Sequence, residues 1–250
     1  NERNVEFLEK RIAKTIGRKF AVAVNSGTDA LHFSLIVNNI GPGDEVLVTN
    51  FSWISSASVV SMVGATPVFC DVDLETNHIS VDSMKRMYSD KVKAIIYPHL
   101  FGNISDMQYI QKFCEEKNIK LIEDACQSFG ANRDGQHAGT YGDVSTLSFN
   151  ANKPVAGLAG GGAFLTDNKE EANLVRKLRR HGNNEILGYN SKMLAINAEF
   201  INFRMDKMHE WQDMRFRVAK RYTNNLKDLP VTIPHVDDIV NHCYHKYVIR

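Results

Sequence analysis

From Phe20 onward, short β-rich runs alternate with stretches of helical length, and no other feature of the sequence restricts the fold as strongly. Strands are expected at residues 20–25, 45–49, 66–71, 93–99, 120–123, 144–149 and 162–166. Helical periodicity covers residues 30–38, 54–63, 81–88, 105–117 and 169–180. Parallel strands need crossovers of about a dozen residues or more, which helices supply. The alternation therefore predicts an α/β fold, a mainly parallel mixed sheet flanked by helices on both faces.

Residues 1–16 precede this pattern as a charged amphipathic segment. Beyond it, residues 193–226 read as one long charged helix, with Ile196, Phe200, Phe203 and Met208 at broadly helical intervals, leading away from the sheet. Pro230 and Pro234 mark a linker, and residues 242–250 read as the first strand of a further unit. The organisation expected is a large domain with an N-terminal helix over residues 1–192, then a linking helix and the beginning of an incomplete small domain over 193–250. At 250 residues and 43% hydrophobic content the chain can bury one large core and the start of a second.

Thirty basic residues against twenty-nine acidic ones point to neither nucleic acid nor an anionic membrane as partner, so an anionic ligand must be held by a local site. Cys70, Cys114, Cys126 and Cys243 are widely spaced and form no C-x-x-C pair, which fits reduced thiols better than zinc ligands or disulfides. No apolar run is long enough for a membrane span. The expectation is a soluble, cytoplasmic protein.

In an open parallel sheet, ligands collect at the carboxyl ends of the strands, and the chemically distinctive residues lie there. The first strand runs into Ser26-Gly27-Thr28-Asp29 just before a helix, which brings amides, a hydroxyl and the positive helix end together as a phosphate seat. Ser26 or Thr28 serving only as a helix cap explains the same residues. The strand at 120–123 delivers Asp124, which suits a cap or a metal as well as a cofactor. Lys153 follows an apolar strand and faces the glycine-rich run Gly157 to Gly162, where desolvation would lower its pKa and make it a nucleophile. A solvent-exposed loop lysine is the plainer alternative. The glycines lack the G-x-G-x-x-G order, and no Gly-Lys-Ser/Thr follows. A phosphate seat, a strand-end aspartate and a later lysine together form the minimum set for pyridoxal 5′-phosphate (PLP): donors for the phosphate, an anion for the pyridine nitrogen, an amine for the aldehyde. Trp53 could stack on the ring, although a tryptophan is more often core.

Six motifs then occur in register: Asn25 to Leu31 (NSGTDAL), Gly41 to Val46 (GPGDEV), His99 to Gly102 with Asp106-Met107, Glu123 to Gln127 (EDACQ), Ser148-Phe149 with Lys153, and Gly188-Tyr189-Asn190-Ser191. In this order they resemble the DegT/StrS family of nucleotide-sugar aminotransferases, over essentially the whole chain. The resemblance implies the PLP fold type I architecture, with Lys153 holding PLP as a Schiff base and Asp124 pairing with the pyridinium nitrogen. It further implies that Gln127 lies near the ring oxygen, that Gly27, Thr28, Asp29 and Ser148 hold the phosphate, and that Trp53 lies against the ring. Asn190 would reach the phosphate of a neighbouring subunit, giving a homodimer with shared active sites. The implied reaction passes nitrogen from an amino donor, glutamate, to a keto-sugar nucleotide, with Lys153 as proton shuttle. A sugar dehydratase on the same fold would carry histidine in place of Lys153, and a non-catalytic regulator would not need the intact Lys, Asp and Gln set. Gly160 and Lys192 depart from the family's usual acidic residue and arginine. The resemblance also implies that a short N-terminal segment and most of the small domain are missing.

Overall fold

The computed structural model describes residues 2–250. Its sheet contains β1 (Phe20–Val24), β2 (Glu45–Thr49), β3 (Thr66–Cys70), β4 (Val92–Pro98), β5 (Lys120–Asp124), β8 (Val144–Ser148) and β9 (Gly162–Thr166), in the order β1-β9-β8-β5-β4-β2-β3. Strand β9 is antiparallel to both of its neighbours, and the other pairings are parallel. Short strands β6 (Asn132–Arg133), β7 (Gln136–His137) and β10 (Val240–Asn241) form a separate three-stranded sheet.

Both faces of the large sheet are covered, so its inner strands are apolar on both sides rather than amphipathic. Ala23, Leu47, Ile95, Leu121 and Leu147 pack towards α1 (Glu2–Ile16), α5 (Met107–Lys117) and α7 (Ala195–Asp206). Val22, Val48, Ile96, Ile122 and Phe164 pack towards α2 (Gly27–Val37), α3 (Ser55–Met62) and α6 (Lys169–Leu178). Helix α4 (Val81–Met87) contributes Met84 to the first cluster. The charged N-terminal segment is helix α1, whose buried stripe of Leu8, Ile12 and Ile16 faces the core. Its Glu9 accepts the Ala23 amide at 2.9 Å and pairs with buried Arg179 at 2.6 Å, joining α1 to the first strand.

Two expectations from the sequence change. The long helix is two, α7 and α8 (Met208–Leu226), because α7 closes with the Lys207 amide donating to Arg204 O, three residues back. Helix α7 then lies on α1, while α8 reaches Gly130 and Asn241 through Gln212. Residues 242–250 are not a strand. Tyr244 has φ 45°, which breaks any extended run, and the segment bonds instead to a loop after β4: the Cys243 amide to Gly102 O and the Lys246 amide to Phe101 O.

Candidate cofactor site

The carboxyl ends of β1, β5 and β8 open on a cavity of about 320 Å³. At one side lies the start of α2. Ser26 is its cap, with Oγ accepting the Asp29 amide at 3.0 Å, and the helical ladder begins only where the Ala30 amide reaches Ser26 O. The amides of Gly27 and Thr28 thus precede any acceptor their own helix can offer, and they stand at its positive end. The Thr28 and Ser55 hydroxyls meet at 2.8 Å beside them. The cap uses Ser26, and the cavity is lined by Gly27 and Thr28, so the cap does not occupy the residues expected at the phosphate seat.

Gly27 has a steric reason. A Cβ there would lie 2.9 Å from Ser148 Cβ and 3.0 Å from Cys126 Sγ, so any side chain would fill the cradle between β5, β8 and α2. That cradle, with its donors and no carboxylate among Gly27, Thr28, Ser55 and Ser148, fits a phosphate.

On the floor, Asp124 is 7% exposed. Its carboxylate accepts from the Cys126 amide at 3.1 Å and the Ser56 hydroxyl at 3.3 Å, which fixes its direction. Among the described residues no group of three or more His, Cys, Asp or Glu side chains could hold a metal ion. Burial, and then Asp124, push the Cys126 thiol well above its ordinary pKa, and Cys126 is a neutral wall rather than a nucleophile. Its neighbour Glu123 points to the other face of the strand and is a framework residue. It is fully buried and accepts from His99 Nε2 and from the amides of Gly139, Tyr141 and Gly142.

Lys153 is half-buried and lines the cavity. Among the described residues its ammonium has no ion-pair or hydrogen-bond partner. The glycine-rich turn opposite is pinned twice. The Phe149 amide donates to Gly161 O and the Gly157 amide to Phe149 O, while Asn197 on α7 accepts the Leu158 amide at 2.7 Å and donates to Gly160 O at 2.8 Å. Gln127 accepts the Phe101 amide on Oε1 at 3.0 Å, which leaves its Nε2 donor for the cavity. Trp53, 69% exposed, stands on the rim and is not core.

The structure thus brings Gly27, Thr28, Trp53, Asp124, Gln127, Ser148 and Lys153 together. It does not bring Asp29 or Asn190 to the same cavity. The Asp29 carboxylate accepts the Ser191 hydroxyl at 2.6 Å, and Asn190 is exposed. Asn197, His245 and Lys246 carry no local sequence signal. Asn197 is one of two buried asparagines on α7, with Asn202, and His245 and Lys246 arrive from the far end of the chain.

A phosphate cradle, a buried carboxylate and an unpaired lysine, on one edge of this sheet, define a PLP-dependent enzyme of fold type I. The model of the DegT/DnrJ/EryC1/StrS aminotransferase family matches residues 1–250, and the chain belongs to that family. It is 34% identical to the UDP-N-acetyl-3-dehydro-alpha-D-glucosamine 3-aminotransferase of Acidithiobacillus ferrooxidans, over 97% of this chain and 67% of that protein. It is also 34% identical to the pleiotropic regulatory protein of Geobacillus stearothermophilus, over 98% and 68%. Among solved structures, NtdA of Bacillus subtilis with bound cofactor PMP superposes with a TM-score of 0.91 at 30% identity, over 98% of this chain and 58% of that one. The chain is an aminotransferase whose cofactor is PLP.

Proposed function

We propose that this enzyme transfers an amino group from glutamate to the keto carbon of a nucleotide-linked sugar, in the cytoplasm, as a homodimer with shared active sites. The observation that carries the reading is the meeting of Lys153 and Asp124 in one cavity with the start of α2. The substrate class is supported by the similarity to the sugar-nucleotide aminotransferase above. Among the described residues no helix is long and apolar enough to cross a membrane.

PLP supplies the electron sink that lets an amino-bearing carbon lose its proton. In this reading the chain does the rest. The α2 amides, Thr28 and Ser148 hold the phosphate, and Asp124, aimed by Cys126 and Ser56, holds a proton on the ring nitrogen. Gln127 would offer its Nε2 donor to the cofactor, and Trp53 would stand against it from the rim. Lys153 would anchor the cofactor, and its free amine would move the proton as base and then as acid. Residues 1–192 form the cofactor-binding domain, with 193–250 leading into a small domain, and Asn190 serves the phosphate of the partner.

Turnover with glutamate against a panel of UDP-, GDP- and dTDP-linked 3-keto and 4-keto sugars tests the proposal. An amino-sugar nucleotide as product is expected. Loss of water from the sugar without amination, or no turnover on any member by enzyme showing the PLP absorbance, would overturn it.

A further inference from the structure

The C-terminal segment brings two side chains, His245 and Lys246, to the cofactor cavity, although nothing near them in sequence belongs to it. The Lys246 amide donates to Phe101 O, and the amide of that same Phe101 holds Gln127 Oε1. The group facing the ring and the segment bearing Lys246 therefore hang on one residue. The contact depends on Gly102, which has φ 97° and at which a Cβ would lie 2.4 Å from Cys243 Sγ.

The charges of the cavity are few. Its one carboxylate is Asp124, buried on the floor. Burial, and then Lys153, Lys246 and Arg215, push His245 down to about 4, so its ring is neutral at physiological pH. The cations are Lys153 and Lys246. Lys153 is committed to the cofactor aldehyde, which leaves Lys246. Lys246 is exposed, and among the described residues its ammonium has no ion-pair or hydrogen-bond partner. The turn at Ala159, Gly160 and Gly161 offers no carboxylate to neutralise it, and a Cβ at Gly160 would meet nothing within 4 Å.

We propose that Lys246 binds an anionic group of the incoming reactant, a carboxylate of the amino donor or a phosphate of the sugar nucleotide, and that His245 beside it offers a hydrogen bond. This rests on the reading of the cavity as a transaminase site. The ammonium reaches the ligand as a point charge, so arginine can replace it in charge.

The test uses the full enzyme loaded with PLP, comparing wild type with Lys246→Met and Lys246→Arg. In one arm glutamate alone is added and the loss of the PLP absorbance is followed in a single turnover. In the other, UDP, GDP and dTDP are titrated by calorimetry. A roughly tenfold or greater weakening in Lys246→Met, recovered at least in part by Lys246→Arg, is expected in one arm, as for a lost charge-assisted hydrogen bond. Loss in the glutamate arm assigns the donor carboxylate, and loss in the nucleotide arm assigns the diphosphate. Unchanged affinity in both arms, with normal PLP absorbance in the variant, would overturn the assignment. A wild-type enzyme that shows no PLP absorbance and no response to glutamate would instead sink the transaminase reading itself.

Discussion

Ser191 donates its hydroxyl to Asp29 Oδ2 at 2.6 Å and accepts the Asn25 amide at 3.2 Å, so the loop after α6 is stitched to the first turn of α2. Asp29 is thereby held away from the cavity, and Asn190, which precedes Ser191 in the chain, is exposed beside it. A side chain so placed can serve a neighbouring subunit. If the site is shared across a two-fold axis, mixing Asn190→Ala chains with Lys153→Ala chains gives heterodimers with one intact site. Activity is expected to recover to a measurable fraction of wild type, where each parent alone is strongly impaired. No recovery after verified subunit exchange would place Asn190 at its own chain's site or in loop support.

Lys153→Ala is expected to abolish covalent attachment of PLP. No other lysine among the described residues shares the cavity with Asp124 and the α2 terminus except Lys246, which stands on the opposite segment. The check is mass spectrometry after borohydride reduction. A PLP-modified peptide in the variant would place the attachment elsewhere.

Asp124→Asn separates binding from chemistry. The amide keeps the contacts to Cys126 or Ser56 in part, but it cannot hold a proton on the ring nitrogen. PLP should remain bound while turnover drops by roughly a hundredfold or more, on the scale of a lost acid-base group. Near wild-type turnover would show that a different residue contacts the nitrogen.

Gly27→Ala inserts a methyl 2.9 Å from Ser148 Cβ and 3.0 Å from Cys126 Sγ. Overpacking of this kind costs about 1–3 kcal/mol. Because the clash lies in the phosphate cradle, PLP affinity should fall together with Tm, and added inorganic phosphate should protect the variant less than the wild type. A variant with unchanged Tm and unchanged PLP affinity would show that the cradle yields.

Glu123 sets an acid limit on stability. Burial pushes its carboxyl up, but the hydrogen bond from His99, the Gly142 amide and the Arg18 guanidinium outweigh it and hold the group below its ordinary 4.5. A folded value below the unfolded one means that the unfolded chain binds the proton more readily. The stabilisation is therefore complete above the unfolded value and is lost as pH falls through the folded one. Glu123→Gln, which uncouples Arg18 and His99, should lower stability at neutral pH by roughly 3 kcal/mol and flatten the dependence of Tm on pH in the acid range. An unchanged acid slope would assign it to other carboxylates, with Asp167, also held low beside Lys19 and Arg18, the first to test.

The elements of the sheet domain were legible in the sequence because each is specified locally. An apolar run of five residues between turn signals makes a strand such as Glu45–Thr49, and the serine and aspartate around Gly27 start a helix wherever they occur. Asp124 and Lys153 were legible for a related reason: a parallel sheet gathers the carboxyl ends of its strands at one edge, and Asp124 closes β5 while Lys153 lies in the loop just past β8. What lies beyond Met193 was not legible in this way. The docking of residues 242–246 on Phe101 and Gly102 depends on contacts between residues more than a hundred positions apart, and neither partner signals the other in its own neighbourhood. For the same reason only the tertiary structure could turn Asp29 towards Ser191, bring Asn197 under the glycine-rich turn and place Lys246 in the cavity. A local pattern fixes backbone conformation and which side of an element is apolar, whereas the partner of a polar side chain is decided by where the whole chain puts the other half of the bond.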